Sequence, residues 1–217
     1  VTSAGPGSES KPRRVTRRRA ETRRRLLDAA LDVFAERGLR GASIEEVCDR
    51  AGYTRGAFYS NFRTLDELLL AVADDRCEQA LRHLGEILAA PGLLEGDGEA
   101  ALEKAVDTVM SAMSDDRRWW LVETELVLHA ARDPRAAVEL RRQRDRFTEQ
   151  LTALVAKAVH QAGRTFVTPP EDVVRVIVAL HDGALAQRHL EPDAAAPGRL
   201  ERLALPVLLR HFTSAGD

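Results

Sequence analysis

The sequence predicts an all-α protein of about nine helices. Three observations carry that prediction. Apolar residues recur at helical spacing along most of the chain, with no alternating stretch that reads as a strand. Helix-start residues (Ser43, Thr54, Pro134, Pro170) and helix-stop residues (Gly38, Gly52, Gly163) punctuate the pattern. The β-formers Val173, Val174, Val176, Ile177 and Val178 sit in a long stretch without breakers, so they read as helix. With 217 residues, 44% of them hydrophobic, the chain is long enough to bury a real core.

The elements follow in order. Residues 1–12, VTSAGPGSESKP, have no apolar period, and residues 11–25 hold nine Lys/Arg against one Glu. Together they predict a disordered basic arm over residues 1–19. Leu26, Leu27, Ala30, Leu31 and Phe34 mark one face of a first helix that begins at Ala20 and is stopped by Gly38. Ser43 with Glu46 three residues on is a capping box, which opens a second helix ending at Ala51. Gly52 turns the chain, and Thr54 caps a third helix from Arg55 to about Asn61. Leu65-Asp66-Glu67 opens a long fourth helix reaching about Ala90. Further helices are predicted over 98–113, 116–131, 134–162, 170–190 and 198–212, with Pro206 kinking or restarting the last. The expected organisation is the arm, a head over residues 20–80 and a body over residues 81–217.

Charge divides the chain the same way. The formal net is −2, from 32 basic and 34 acidic residues. Residues 1–64 hold 14 basic and 8 acidic residues, a net of +6, and residues 65–217 hold 18 and 26, a net of −8. A basic front on an acidic remainder suggests a nucleic-acid contact at one end only. Cys48 and Cys77 form no CxxC pair and read as small buried hydrophobes in a reducing compartment. No apolar run approaches the roughly 18 residues of a membrane span. The basic N-terminal stretch is not followed by the apolar region of a secretory signal, so a cytoplasmic location is expected. Metal-ligand spacings, a nucleophile elbow, a dinucleotide fingerprint and a phosphate loop are all missing from the sequence. Glu125 and His129 are spaced as one possible ligand pair, but such pairs more commonly hydrogen-bond on a surface. No enzyme, metal or cofactor is expected.

The segment Ser43 to Phe62, SIEEVCDRAGYTRGAFYSNF, is the most informative. Ile44, Val47, Cys48 and Ala51 make an inner face, and Phe58 and Phe62 anchor the next helix inward. Thr54, Arg55, Gly56, Ala57 and Tyr59 are left on an outer face suited to a major groove. Gly56 and Ala57 permit close approach, and Arg55 matches guanine O6 and N7. Tyr53 closes the turn. Ser43, Asn61 and Tyr59 are placed for phosphates. Arg13, Arg14, Arg17, Arg18 and Arg19 form an arm for the phosphate backbone or a minor groove.

Residues 21–72, carried by LLDAALDVFAERGLRGASIEEVCDRAGYTRGAFYSNFRTLDELLLAV, resemble the DNA-binding domain of the TetR family of bacterial transcriptional regulators. HAARDPRAAVELRRQRDRF and ALHDGALAQRHLEPD are similar to members with a BetI-like C-terminal half. The resemblance implies a homodimer whose first three helices bind a palindromic operator. Its fourth helix would link them to a body that binds a small-molecule inducer, which moves the linking helices and releases DNA. Two positions depart from the family: Leu65 stands where a Lys is usual, and Asn61 where a His is common. The resemblance also implies that Arg63 faces DNA, where either it or the basic arm would replace the missing Lys.

The resemblance also implies a pocket in the body. Its candidates are Met110, Met113, Trp119, Trp120, Val122 and Glu123, with Leu126, Phe147, Leu151 and His181. Trp119 and Trp120 point about 100° apart, so at most one faces inward. His181 is either a polar handle in the pocket or part of the dimer seam. A dimer stripe is expected from Val174, Ile177, His181, Ala184, Leu185 and Arg188, joined by Leu203 and Val207 on the last helix. Two other readings remain open: a ligand-independent DNA-binding regulator whose body only dimerises, and a helical enzyme or carrier that keeps the head as a packing unit.

Overall fold

The computed structural model describes residues 11–113, 116–193 and 196–216, with side chains from Arg17 onward. Among them are the helices α1 (Lys11–Gly41), α2 (Ile44–Ala51), α3 (Arg55–Tyr59), α4 (Leu65–Leu88), α5 (Gly98–Ala112), α6 (Arg117–Arg132), α7 (Pro134–Gln161), α8 (Pro170–Leu190) and α9 (Arg199–Phe212), and two strands, β1 (Arg164–Phe166) and β2 (Thr213–Ala215). The all-α class and the helix count match the sequence reading, and most boundaries agree within two residues. Two compact units form, Val1–Ala73 and Asp74–Asp217. The division therefore falls within α4, ahead of the boundary expected after residue 80.

In the first unit, Leu26, Ala30, Leu31, Val33 and Phe34 of α1 are buried, as are Val47, Cys48, Phe58, Phe62, Leu68 and Val72. The α1 residue Gly38 takes φ 71°, which breaks the helical path where the sequence placed its stop. The arm differs from its expectation. Residues 11–19 are helical and continuous with α1 rather than disordered. Arginine is a good helix former, and once the buried turns from Leu26 onward nucleate the helix, adding turns costs little. Glu21 accepts from Arg25 Nε at 2.9 Å, Arg24 lies 3.6 Å from Asp28, and the Thr22 hydroxyl donates to the Arg18 carbonyl at 3.0 Å. Residues 1–10 lie outside the described residues.

In the second unit, Leu94, Leu102, Val106, Val159, Leu205 and Leu209 belong to one core cluster. Leu81, Leu151 and Val174 belong to another, with Phe147 and Leu154 against it. The strands β1 and β2, absent from the sequence reading, pair antiparallel with Arg164 opposite Ala215, Thr165 opposite Ser214 and Phe166 opposite Thr213. Buried Arg164 fastens them, donating Nε to Thr213 Oγ1 at 2.8 Å and Nη2 to the Thr213 carbonyl at 2.9 Å. Helix α9 runs through Pro206 as one helix, neither restarted nor interrupted. Leu205 and Leu209 anchor it in the core on either side of the missing N–H, so packing offsets the lost hydrogen bond. Among the described residues, no helix is long and apolar enough to cross a membrane.

Candidate nucleic-acid interface

The geometry around α3 follows from three local caps. Ser43 accepts from the Glu46 N–H at 3.2 Å, and its hydroxyl donates to Glu46 Oε2 at 3.0 Å. That fixes the start of α2 and satisfies a donor that would otherwise be orphaned. Gly52 then takes the left-handed conformation (φ 71°, ψ 33°), and its N–H and that of Tyr53 return to the last carbonyls of α2. Thr54 Oγ1 accepts from the Ala57 N–H at 3.3 Å and starts α3. Phe58, fully buried, and Phe62 hold α3 inward, with Tyr59 edge-on to Phe58 at 5.5 Å.

What remains outside is the N-terminal face expected from the sequence. Thr54, Arg55, Gly56 and Tyr59 are exposed, Ala57 and Tyr53 are half-buried, and Arg63 is exposed beyond the helix. Side chains of two predicted phosphate contacts have jobs within the fold. Ser43 is engaged in its cap, and Asn61 Nδ2 donates to the Ala57 carbonyl at 2.8 Å, closing α3. Arg55 Nη1 lies 3.0 Å from Glu45 Oε1, and its guanidinium carbon stands 6.0 Å from the centre of the Tyr59 ring. Tyr59 first, then Glu45, favour the charged guanidinium.

The arm is tied to the end of this helix. Arg19 Nη2 donates to the Ser60 carbonyl at 3.1 Å, and Arg23 sits 5.0 Å over the Phe62 ring. Arg17 and Arg18 are exposed, whereas the Arg13 and Arg14 side chains lie outside the described residues. Sequence reading missed both Glu45 as the partner of Arg55 and Arg23 as the partner of Phe62. The available signal for Glu45 was its place in the first turn of α2, which a helix-turn-helix brings beside the start of α3.

In the second unit the predicted pocket residues separate. Met110, Met113 and His181 line a narrow cavity of about 30 Å³ together with Leu185, Arg188 and Glu201. A few waters fit there, against roughly 300–1,000 Å³ for a ligand pocket. Val122, Leu126 and Leu151 are buried in the core, and Phe147 packs against the cluster that holds Leu151. Trp119 and Trp120 are both half-buried, and Trp120 stacks on His189 at 4.7 Å. Glu123 lies 3.8 Å from Arg144 Nη2, and burial, then Asp182, push its carboxyl above the ordinary range. Burial also pushes Cys77 up to about 12, leaving a protonated thiol at neutral pH. A larger open groove of about 480 Å³ lies elsewhere, between Glu78, Leu81 and Arg82 of α4 and Gln150, Ala153 and Leu154 of α7.

The expected dimer stripe is corrected in part. Val174 is fully buried and Ala184 is 7% exposed, so both belong to the core of their own chain. They lie on the inner side of α8, and Val174 shares a core cluster with Leu81 of α4 and Leu151 of α7. Leu203 and Val207 are 71% and 63% exposed, Val176 is exposed as well, and Ile177, Leu185 and Arg188 are partly buried. His181 Nδ1 is 2.9 Å from the buried carboxylate of Glu201, which ties α8 to α9.

A capped helix-turn-helix with an exposed polar second helix, beside a basic helical extension, defines a DNA-binding transcriptional regulator. The model for bacterial regulatory proteins of the tetR family matches residues 26–72, and that for the C-terminal part of BetI-type transcriptional repressors matches residues 98–212. The chain belongs to the TetR family, with a BetI-type C-terminal region. It is 31% identical over 144 residues to the HTH-type transcriptional regulator SrpR of Pseudomonas putida, covering 65% of this chain and 62% of that protein. It is 24% identical over 175 residues to the HTH-type nicotine-responsive transcriptional repressor HdnoR of Paenarthrobacter nicotinovorans, covering 80% of this chain and 86% of that protein. A crystal structure of a transcriptional regulator from Rhodococcus sp. Rha1 aligns with TM-score 0.62 at 27% identity, covering 88% of this chain and 95% of that chain.

Proposed function

We propose that the chain is a homodimeric repressor that holds a palindromic operator and is released from it by a small-molecule inducer. The observation that carries the DNA reading is the exposed N-terminal face of α3, with Thr54, Arg55, Gly56 and Tyr59 aligned and the helix start fixed by Thr54. In this reading Arg55 meets a guanine edge, and Tyr53, Ala57, Arg63 and the Ser43 end of α2 meet the phosphates on either side. The arm residues Arg13, Arg14, Arg17, Arg18 and Arg19 add backbone contacts along one helix.

Dimerisation is supported by the exposed Val176, Leu203 and Val207, apolar side chains that a second copy would cover. Repression and ligand response rest on the family, since the C-terminal model is that of transcriptional repressors. A ligand-independent regulator is the second reading. It is favoured by the tight burial of Val122, Leu126 and Leu151 where a pocket was expected.

Selection of bound duplexes from a random pool tests the DNA reading. The expected result is an inverted repeat with half-sites spaced by whole helical turns. No enrichment of any sequence overturns it. Displacement of the selected duplex by one member of a small-molecule panel separates the inducible reading from the ligand-independent one.

A further inference from the structure

Arg55, the residue placed to read a base, does not stand alone on α3. Its Nη1 is 3.0 Å from Glu45 Oε1 at the start of α2, and Tyr59 flanks the guanidinium from its own helix. The Arg55 side chain is 61% exposed, so N–H groups not used by Glu45 are open to a second acceptor. Glu45 occupies the first turn of α2, where backbone amides would otherwise favour an anion. Its neighbour Glu46 is engaged with Ser43 and lies 3.5 Å from Arg37, leaving Glu45 as the carboxylate turned to α3.

Two acceptors compete for such an arginine on DNA. A phosphate is anionic and attracts the guanidinium mainly by charge, while a guanine edge is neutral and accepts two hydrogen bonds in a fixed geometry. A carboxylate already paired with the guanidinium offsets its charge and repels an incoming phosphate. It leaves the hydrogen bonds to a neutral edge available, and it holds the fork in one orientation. We propose that Glu45 is a specificity-determining, positioning residue, which discriminates against phosphate capture of Arg55 and reserves it for a base edge. The inference rests on the reading of α3 as the DNA-contacting helix.

The test uses the full chain and the duplex enriched from the random pool, beside a scrambled duplex of the same length and composition. Binding of wild type, Glu45→Gln, Arg55→Ala and the double variant is measured by fluorescence anisotropy across a salt series. Glu45→Gln is expected to tighten scrambled-duplex binding by about two- to fivefold, the range of an exposed ion pair. Its salt dependence there should steepen by about one unit. Operator affinity should change less, so the operator-to-scrambled ratio falls. In the Arg55→Ala background the same substitution should leave that ratio unchanged. An equal gain on both duplexes overturns the inference, as does a fall in the ratio that persists without Arg55. A wild-type chain that discriminates no sequence defeats the DNA reading itself, and this shows before any variant is compared.

Discussion

Leu203→Arg should convert the proposed dimer to monomers without unfolding the chain. Leu203 is 71% exposed on α9, so its side chain contributes little to the fold of its own chain. Fully burying a leucine is worth about 1.5–3 kcal/mol, so covering most of Leu203 adds about 1–2 kcal/mol per copy. Two-fold symmetry counts the residue twice, which makes the loss about 3 kcal/mol per dimer, or roughly a hundredfold in Kd. Placing a guanidinium in an apolar interface adds to that loss. Sedimentation velocity over a concentration series provides the assay, with circular dichroism confirming helix content. Wild type should sediment at twice the 23.9 kDa of one chain and the variant at one chain. A monomeric wild type refutes the reasoning. So does a Leu203→Arg dimer of unchanged affinity, which would place the interface elsewhere.

Other outcomes follow from single positions. Gly52→Ala should destabilise the head by about 1–2 kcal/mol in thermal unfolding, because its φ of 71° strains any L side chain while a methyl group there meets no atom within 4 Å. Burial pushes the Glu201 carboxyl up, but the hydrogen bond from His181, a backbone hydrogen bond and the charges of His181 and Arg202 together hold that group below its ordinary value of 4.5. Its contribution to stability is present above that value and lost as pH falls below it, so the Tm deficit of Glu201→Gln should shrink in acid. Glu123 behaves oppositely: burial and then Asp182 raise its carboxyl above 4.5. Glu123→Gln should therefore raise Tm at neutral pH, with the gain vanishing as pH falls below 4.5. Deleting residues 1–19 should flatten the salt dependence of DNA binding by about 0.9 for each arginine that meets a phosphate; an unchanged slope would show that the arm makes no such contact.

The helix-turn-helix was legible because its determinants are local. Ser43, Gly52 and Thr54 act on residues within four positions, and each does in the structure what its residue type dictates. Phe58 and Phe62 were legible for a related reason, since helical spacing alone turns them inward. What escaped depends on distant partners. β1 and β2 have three residues each and exist because Arg164 reaches Thr213 across the body, a pairing that leaves no periodic trace. Val174 lay on the expected dimer stripe because one helix pattern serves an inner and an outer face equally. Only the packing of α7 and α9 against α8 decides which face each residue takes. The pocket candidates suffered the same ambiguity, because apolar residues that would line a cavity also fill one.

The basic head shows why a count of basic residues is a poor measure of what is offered to DNA. Arg24 and Arg25 face Glu21, Arg37 faces Glu46, Arg50 grips Glu36 with both nitrogens at 2.5 and 2.6 Å, and Arg55 faces Glu45. Arg19 and Arg23 are turned onto Ser60 and Phe62. Several of the 14 basic residues of the head are thus paired within the fold, where exposed pairs add little stability but do set orientation. Exposed Arg17 and Arg18 stand on the helical extension, whose last turns Arg19 fastens to the end of α3. A helical arm held in this way presents its charges in a fixed register with the reading helix. A disordered arm would lose conformational entropy on binding, whereas this one is ordered beforehand. Arg19→Ala should therefore weaken operator binding by more than one phosphate contact, because it also loosens the register of Arg17 and Arg18. A loss equal to that of Arg17→Ala would show that the link to Ser60 plays no part in recognition.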